Sequence, residues 1–269
     1  MTGPPGFSGH HRDGDHVVKL LDVPEPASER VAAAAQEGGR TGMQRYLDLL
    51  RAHEVTLPPD LNVISDSPLA VRHRWIDGPT LADLAVQHPH QFVAAVAQVA
   101  HWVRAVGNTD ARIDTNLANF CLTAGGPVLV DVLPPLRLSY LPAPPHTLFE
   151  TLFCALCFDT EVTLDALIGY AARALLRADP PPQARHALAE LGRDLRPSLA
   201  TNPVGGFPAG WFRARARLAL ATLTGEVPTP VLHDFFAATS VLAFHELDEV
   251  HRELRLHTVD GLITTLDLA

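Results

Sequence analysis

Two short apolar runs joined by a pair of glycines constrain this chain more than any other stretch. From Arg112 to Pro135 the sequence reads RIDTNLANFCLTAGGPVLVDVLPP, with Asp114 and Asn119 five positions apart ahead of the first run and Asp131 closing the second. A Gly-Gly break at Gly125-Gly126 between runs of this kind predicts a β-hairpin. A hairpin sets the start of one strand beside the end of the other. Asp114, Asn119 and Asp131 would then share one edge, where their oxygens can hold a hard cation. The same pattern also fits an ordinary polar hairpin, because Asp and Asn are common wherever strands begin and end.

A chain of 269 residues, 47% of them hydrophobic, can bury one large core or divide into a small lobe and a larger one. The formal net charge of -9 argues against a broad nucleic-acid surface or an anionic-membrane anchor, leaving a local basic cleft open. No apolar run approaches the roughly eighteen residues of a membrane span. Met1 to Pro5 lacks the charged and apolar parts of a signal peptide, so the expectation is a cytoplasmic protein with no nucleic-acid or membrane partner. Cys121, Cys154 and Cys157 make no disulfide framework. The spacing of Cys154 and Cys157 among Phe153, Leu156 and Phe158 reads as packing on a helix, since no second pair completes a zinc site. The 14 histidines are scattered and match no metal motif.

Lysine use is more telling. Lys and Arg total 21, of which Lys19 is the sole lysine. A sequence that supplies arginine almost everywhere a cation is wanted has kept a compact ammonium at one place. A point charge on a flexible stem fits between phosphates where a broad planar fork does not. Lys19 lies in the apolar strand His16 to Leu21, and before it Gly6, Gly9 and Gly14 space a stretch able to form a phosphate-covering turn.

Beyond Lys19 the signals alternate. Ser28 can cap a helix running to Glu37, the Gly38-Gly39 pair interrupts it, and Met43 to His53 reads as a second helix. Leu61 to Ile64 and Leu69 to Ile76 read as strands, followed by Asp77-Gly78-Pro79 and a short helix capped at Thr80. Gln91 to Val106 carries an apolar face of Phe92, Val93, Val96, Val99, Trp102, Val103 and Val106. After Pro135 come a proline-stiffened segment, a buried helix over 148–158, and helices over 163–178, 182–191, 210–224 and 230–254.

The order lysine strand, helix, two strands, linker, long helix, D-x-x-x-x-N and an apolar strand ending in Asp resembles the protein-kinase-like fold. Its closest likeness is to aminoglycoside and other small-molecule phosphotransferases. The resemblance covers about residues 6 to 135. It implies an α+β, two-lobed protein: a reduced N-terminal β lobe for nucleotide over 1–76, and a mainly helical C-terminal lobe over 77–269. It implies Asp114 as the catalytic carboxylate, and Asn119 and Asp131 as ligands of Mg2+. Lys19 would bind the α and β phosphates of ATP or GTP and be steadied by Glu37, with Glu29 as the substitute. Gly9 would lie in the phosphate cover, and the backbone around Arg74, Trp75 and Ile76 would meet the base.

The acceptor implied is a small hydroxyl-bearing molecule such as an antibiotic, nucleoside or other metabolite, because five prolines stiffen the segment where protein kinases keep a mobile loop. Arg112 stands where the family has His, Val132-Leu133-Pro134-Pro135 stands where kinases have Phe-Gly, and five residues precede Gly6. A kinase-like nucleotide-binding protein without turnover, and a nucleotidyl-transferring enzyme that releases pyrophosphate, are the alternatives.

Overall fold

A computed structural model describes residues 8–21, 26–141, 144–145, 147–197, 206–241 and 247–266. The protein is mixed α+β, with a small antiparallel sheet followed by a helical assembly. Strand β1 (Ser8–Asp13) turns at Gly14, whose φ of 62° suits a residue without Cβ, into β2 (His16–Leu21). Helix α1 (Pro26–Ala52) follows, then β3 (Asn62–Asp66) and β4 (Leu69–Arg74). The sheet order is β1-β2-β4-β3 with every pairing antiparallel.

Register decides what the sheet shows to the rest of the molecule. Lys19 lies opposite Val71, and Val17 opposite His73. Side chains alternate across a pleated sheet, so Val17, Lys19 and Leu21 of β2 share one face with Leu69, Val71 and His73 of β4. All six are buried. Leu21, Leu69 and Val71 join a core with Ala32, Ala35, Met43 and Leu47 of α1, so this is the face the helix covers. The break anticipated at Gly38-Gly39 is a kink inside α1, where Gly39 takes φ 50° and ψ -148°. The stretch from Gly6 to Gly14 is mostly strand and not open loop: Ser8 to Asp13 form a ladder strand, with Gly9 opposite Leu20, and Gly6 lies outside the described residues.

The second half starts with α2 (Leu81–Gln87), whose cap Thr80 accepts from the amide of Asp83, and α3 (Pro89–Val106), whose anticipated apolar residues are all buried. Strands β5 (Phe120–Thr123) and β6 (Gly126–Leu129) form the hairpin read from the sequence, with Thr123 opposite Gly126. The linker ahead of α2 grips this hairpin: the amide of Leu122 donates to Pro79 at 2.9 Å, and a Cβ on Gly78 would stand 2.1 Å from the Leu122 carbonyl. Only glycine permits that approach.

Helices α4 (Leu148–Phe158), α5 (Thr160–Leu175), α6 (Pro182–Leu195), α7 (Ala209–Leu223), α8 (Thr229–Ala238) and α9 (Glu249–Thr265) complete the described chain. The single helix anticipated over 230–254 is interrupted: among the described residues α8 ends at Ala238 and α9 begins after its cap Asp248. Cys154 and Cys157 are free and buried on α4 among Phe149, Phe153 and Phe158, as packing groups. Among the described residues no helix is long and apolar enough to cross a membrane.

Candidate active site

The hairpin and the sheet meet at one ion pair. The Lys19 ammonium lies 3.2 Å from Oδ1 of Asp131, two residues beyond the end of β6. Both are drawn in from solvent, with Lys19 only 8% exposed. Asp131 is fixed by its own backbone, because the amides of Val130 and Asp131 both donate to the Asn119 carbonyl, at 2.8 and 3.4 Å. That carbonyl belongs to a short 3-10 turn, Leu117–Asn119, capped by the Asn116 side chain. Asn119 and Asp131 are thus neighbours by main-chain pairing before any side-chain contact is considered.

Asp114 completes the group. Its Oδ1 accepts from the Asn116 amide at 2.9 Å, and its Oδ2 accepts from Nδ2 of Asn119 at 2.8 Å. The Asn119 amide nitrogen is therefore used on Asp114, and among the described residues no hydrogen bond engages its amide oxygen. Burial holds the Asp114 carboxyl above the usual carboxylate range. The negative charge of Asp131 adds to that, and the two hydrogen bonds pull the other way. Residual access at Asp114 coexists with this desolvation because the surrounding protein replaces most of the water around the carboxyl.

The loop that carries Asp114 is clamped from below by Arg112. Its guanidinium donates to the carbonyls of Ala111 at 2.7 Å, Thr109 at 2.9 Å and Phe158 at 2.9 Å, the last at the end of α4. Burial lowers the proton affinity of this group, and Asp110 and Asp159 push it back up. From above, the Tyr46 hydroxyl on α1 donates to the Arg112 carbonyl at 2.8 Å. Burial first, then the charges of Asp114 and Asp131, raise that phenol above its ordinary value. The loop also pairs with the chain beyond Asp131: the Arg112 amide donates to Leu136 and the Leu138 amide to Asp110, each at 2.7 Å. Val132 and Leu133, in the place of Phe-Gly, are buried in the core.

Several predicted members stand elsewhere. Glu37 and Glu29 are solvent-exposed, and among the described residues no ion pair joins either to Lys19. One position before Glu37, about 100° around the helix, Gln36 faces the sheet and accepts from the Leu69 amide at 2.8 Å. Gly9 is held in the β1 ladder. The Arg74 amide donates to Pro59 at 2.9 Å and its guanidinium pairs with Asp60 at 2.9 Å. The Trp75 amide donates to Asp15 at 2.8 Å, and its ring lies under the Arg12 guanidinium. Of the three linker amides, only that of Ile76 has no protein acceptor among the described residues.

The sequence does not single out Tyr46, which falls at an apolar position of the helix read over Met43 to His53, or His73, which alternation alone makes an ordinary strand residue. His73 is 3% exposed, and its Nδ1 lies 2.8 Å from the Arg74 carbonyl. Burial lowers its proton affinity, and the nearby Lys19 charge adds to that.

Lys19, Asp114, Asn119 and Asp131 present one ammonium, two carboxylates and an amide oxygen. Carboxylate and amide oxygens are hard donors of the type Mg2+ takes, so the set fits that ion chemically. Surface hollows at Arg40, Thr41, Gln44 and Asp48, and between α3 and the hairpin turn, lie away from this group. No family model matches the chain, and no curated protein is similar to it.

Proposed function

We propose that this protein is a protein-kinase-like phosphotransferase that moves the γ-phosphoryl group of a nucleoside triphosphate to a hydroxyl of a small molecule. The observation that carries the reading is the Lys19–Asp131 pair at 3.2 Å. It joins the sole lysine to the aspartate after the hairpin, and the Asp114–Asn119 contact at 2.8 Å lies on the same main-chain turn. In this reading the sheet and α1, within 1–76, form a small nucleotide lobe, and 77–269 form the helical lobe that supplies the acceptor pocket.

Each residue then has a defined task. Lys19 leaves Asp131 for the α and β phosphates. Asn119 and Asp131 hold Mg2+, which when bound neutralises charge on the phosphates. Asp114 orients the acceptor hydroxyl and takes its proton as the oxygen bonds to the γ-phosphorus and the bond to the bridging oxygen of the diphosphate breaks. Desolvation raises the basicity of Asp114, which suits a group that must accept a proton at that moment. Most of the rate gain would come from positioning and charge neutralisation. With the Arg74 and Trp75 amides engaged in the protein, Ile76 is the linker residue left to donate to a base. That engagement also favours the second reading, a kinase-like protein that binds nucleotide without turning it over.

Thermal-shift measurements with ATP and GTP, with and without Mg2+, test the binding half of the reading. Transfer of labelled γ-phosphate to a panel of hydroxylated small molecules, with the product identified, tests the rest. Mg2+-dependent stabilisation and a phosphorylated small molecule are expected. Binding without transfer would leave the second reading, release of pyrophosphate would mark nucleotidyl transfer, and labelling of protein substrates alone would overturn the small acceptor.

A further inference from the structure

If Asp131 must bind a cation, Lys19 loses the one ion pair it makes among the described residues, and the helix glutamates lie in solvent. The phosphates would take up part of the Lys19 donor capacity, but an ammonium has three donors, and a protein acceptor on the same face would fix its direction. His73 is in that position. It stands opposite Val17, two residues from Lys19 along β2, and alternation puts all three side chains on one face of the sheet. Its ring lies close enough to Lys19 and Asp131 for both charges to act on it.

The hydrogen bonding of His73 fixes which nitrogen can serve. A carbonyl only accepts, so the contact of 2.8 Å to the Arg74 carbonyl requires the hydrogen on Nδ1. Nε2 of the neutral ring is then a lone pair. It is buried and has no hydrogen-bond partner among the described residues, while the Val130 carbonyl lies near enough to the ring to act on it. A buried acceptor left unsatisfied beside a buried ammonium is the arrangement expected of a ligand held in reserve. We propose that His73 is a positioning residue that accepts a hydrogen bond from the Lys19 ammonium through Nε2 when the charge of Asp131 is taken up by a cation, in the role sought from a helix glutamate. The proposal rests on the phosphotransferase reading for its purpose, though not for its test.

The test uses the free protein and replaces the cation by removal of the carboxylate. In 15N-histidine-labelled protein, with His73→Gln identifying the signal, His73 should show the Nδ1–H tautomer. In Asp131→Ala its Nε2 resonance should move upfield as Lys19 turns to it, and the Nζ resonance of the chain's sole lysine should move with it. Thermal midpoints give a second readout that survives an unassignable spectrum. His73→Phe should shift the wild-type midpoint by a few degrees at most and the Asp131→Ala midpoint by clearly more, whereas His73→Gln, which keeps an acceptor, should reduce that extra loss. An Nε2–H tautomer engaged on the Val130 carbonyl, or additive midpoint shifts in the His73→Phe and Asp131→Ala double variant, would overturn the proposal. Absence of Mg2+-dependent nucleotide binding by the wild type would instead overturn the phosphotransferase reading and leave these nucleotide-free results standing.

Discussion

Replacing Arg112 by alanine isolates the clamp that fixes the loop of Asp114. The guanidinium donates to three carbonyls at 2.7 to 2.9 Å. Hydrogen bonds from a charged donor contribute about 1.5–3 kcal/mol each, so the gross loss is on the order of 5–9 kcal/mol. Against this, the substitution removes a buried charge whose desolvation costs several kcal/mol. A net destabilisation of about 3 kcal/mol is expected, or a fall of about 6–12 °C in midpoint for a domain of this size. Arg112→Lys should recover part of it, because one ammonium cannot reach the loop carbonyls and the Phe158 carbonyl at the end of α4 together. Tyr46 bonds the backbone carbonyl of residue 112, so its anchor survives either change, and Tyr46→Phe tests it separately. Urea unfolding of the nucleotide-free protein, followed by far-ultraviolet circular dichroism, gives the measurement. A loss below about 1 kcal/mol for Arg112→Ala, or a lysine variant as stable as wild type, would refute the clamp.

Lys19→Arg should lower Mg2+-nucleotide affinity or turnover by about tenfold or more although the charge is kept, since a planar fork does not fit a buried one-amine slot; unchanged calorimetric affinity and rate would remove Lys19 from the site. Asp114→Asn should raise the apo midpoint at neutral pH while abolishing most turnover. The folded carboxyl holds its proton more tightly than the unfolded one, so its contribution to stability is complete below the unfolded value near 3.9 and is lost as pH rises through the folded value. The gain from Asp114→Asn should therefore vanish in acid, and a midpoint difference independent of pH would contradict it. Gly42→Ala should destabilise the protein by about 1–3 kcal/mol, although alanine is normally the better helix former, because the new Cβ would meet the Tyr140 hydroxyl at 2.0 Å. Tyr140→Phe should restore part of that loss in thermal unfolding, and an unrelieved loss would place the strain elsewhere.

By itself, the sequence determined those features that depend on near neighbours in the chain. The apolar period of α3, the Thr80 cap, the break at Gly39 and the Gly-Gly hairpin turn all follow from side-chain chemistry within one or two turns of backbone. Lysine use singled out Lys19, and the hairpin gathered Asn119 and Asp131, because β-turn geometry fixes which strand ends meet. Tertiary structure alone decided which side of each element faces the site. A rotation of one residue on α1 puts Gln36 rather than Glu37 against the sheet, and period cannot say where a packed helix comes to rest. Strand pairing across separate segments set His73 on the face of Lys19, used the Arg74 and Trp75 amides within the protein, and took Gly9 into a ladder. Arg112 shows the limit most clearly: its three nearest acceptors lie on the loop and at the end of α4, and only packing of the loop against that helix end gives an arginine this role at the position where the kinase-like resemblance implies histidine.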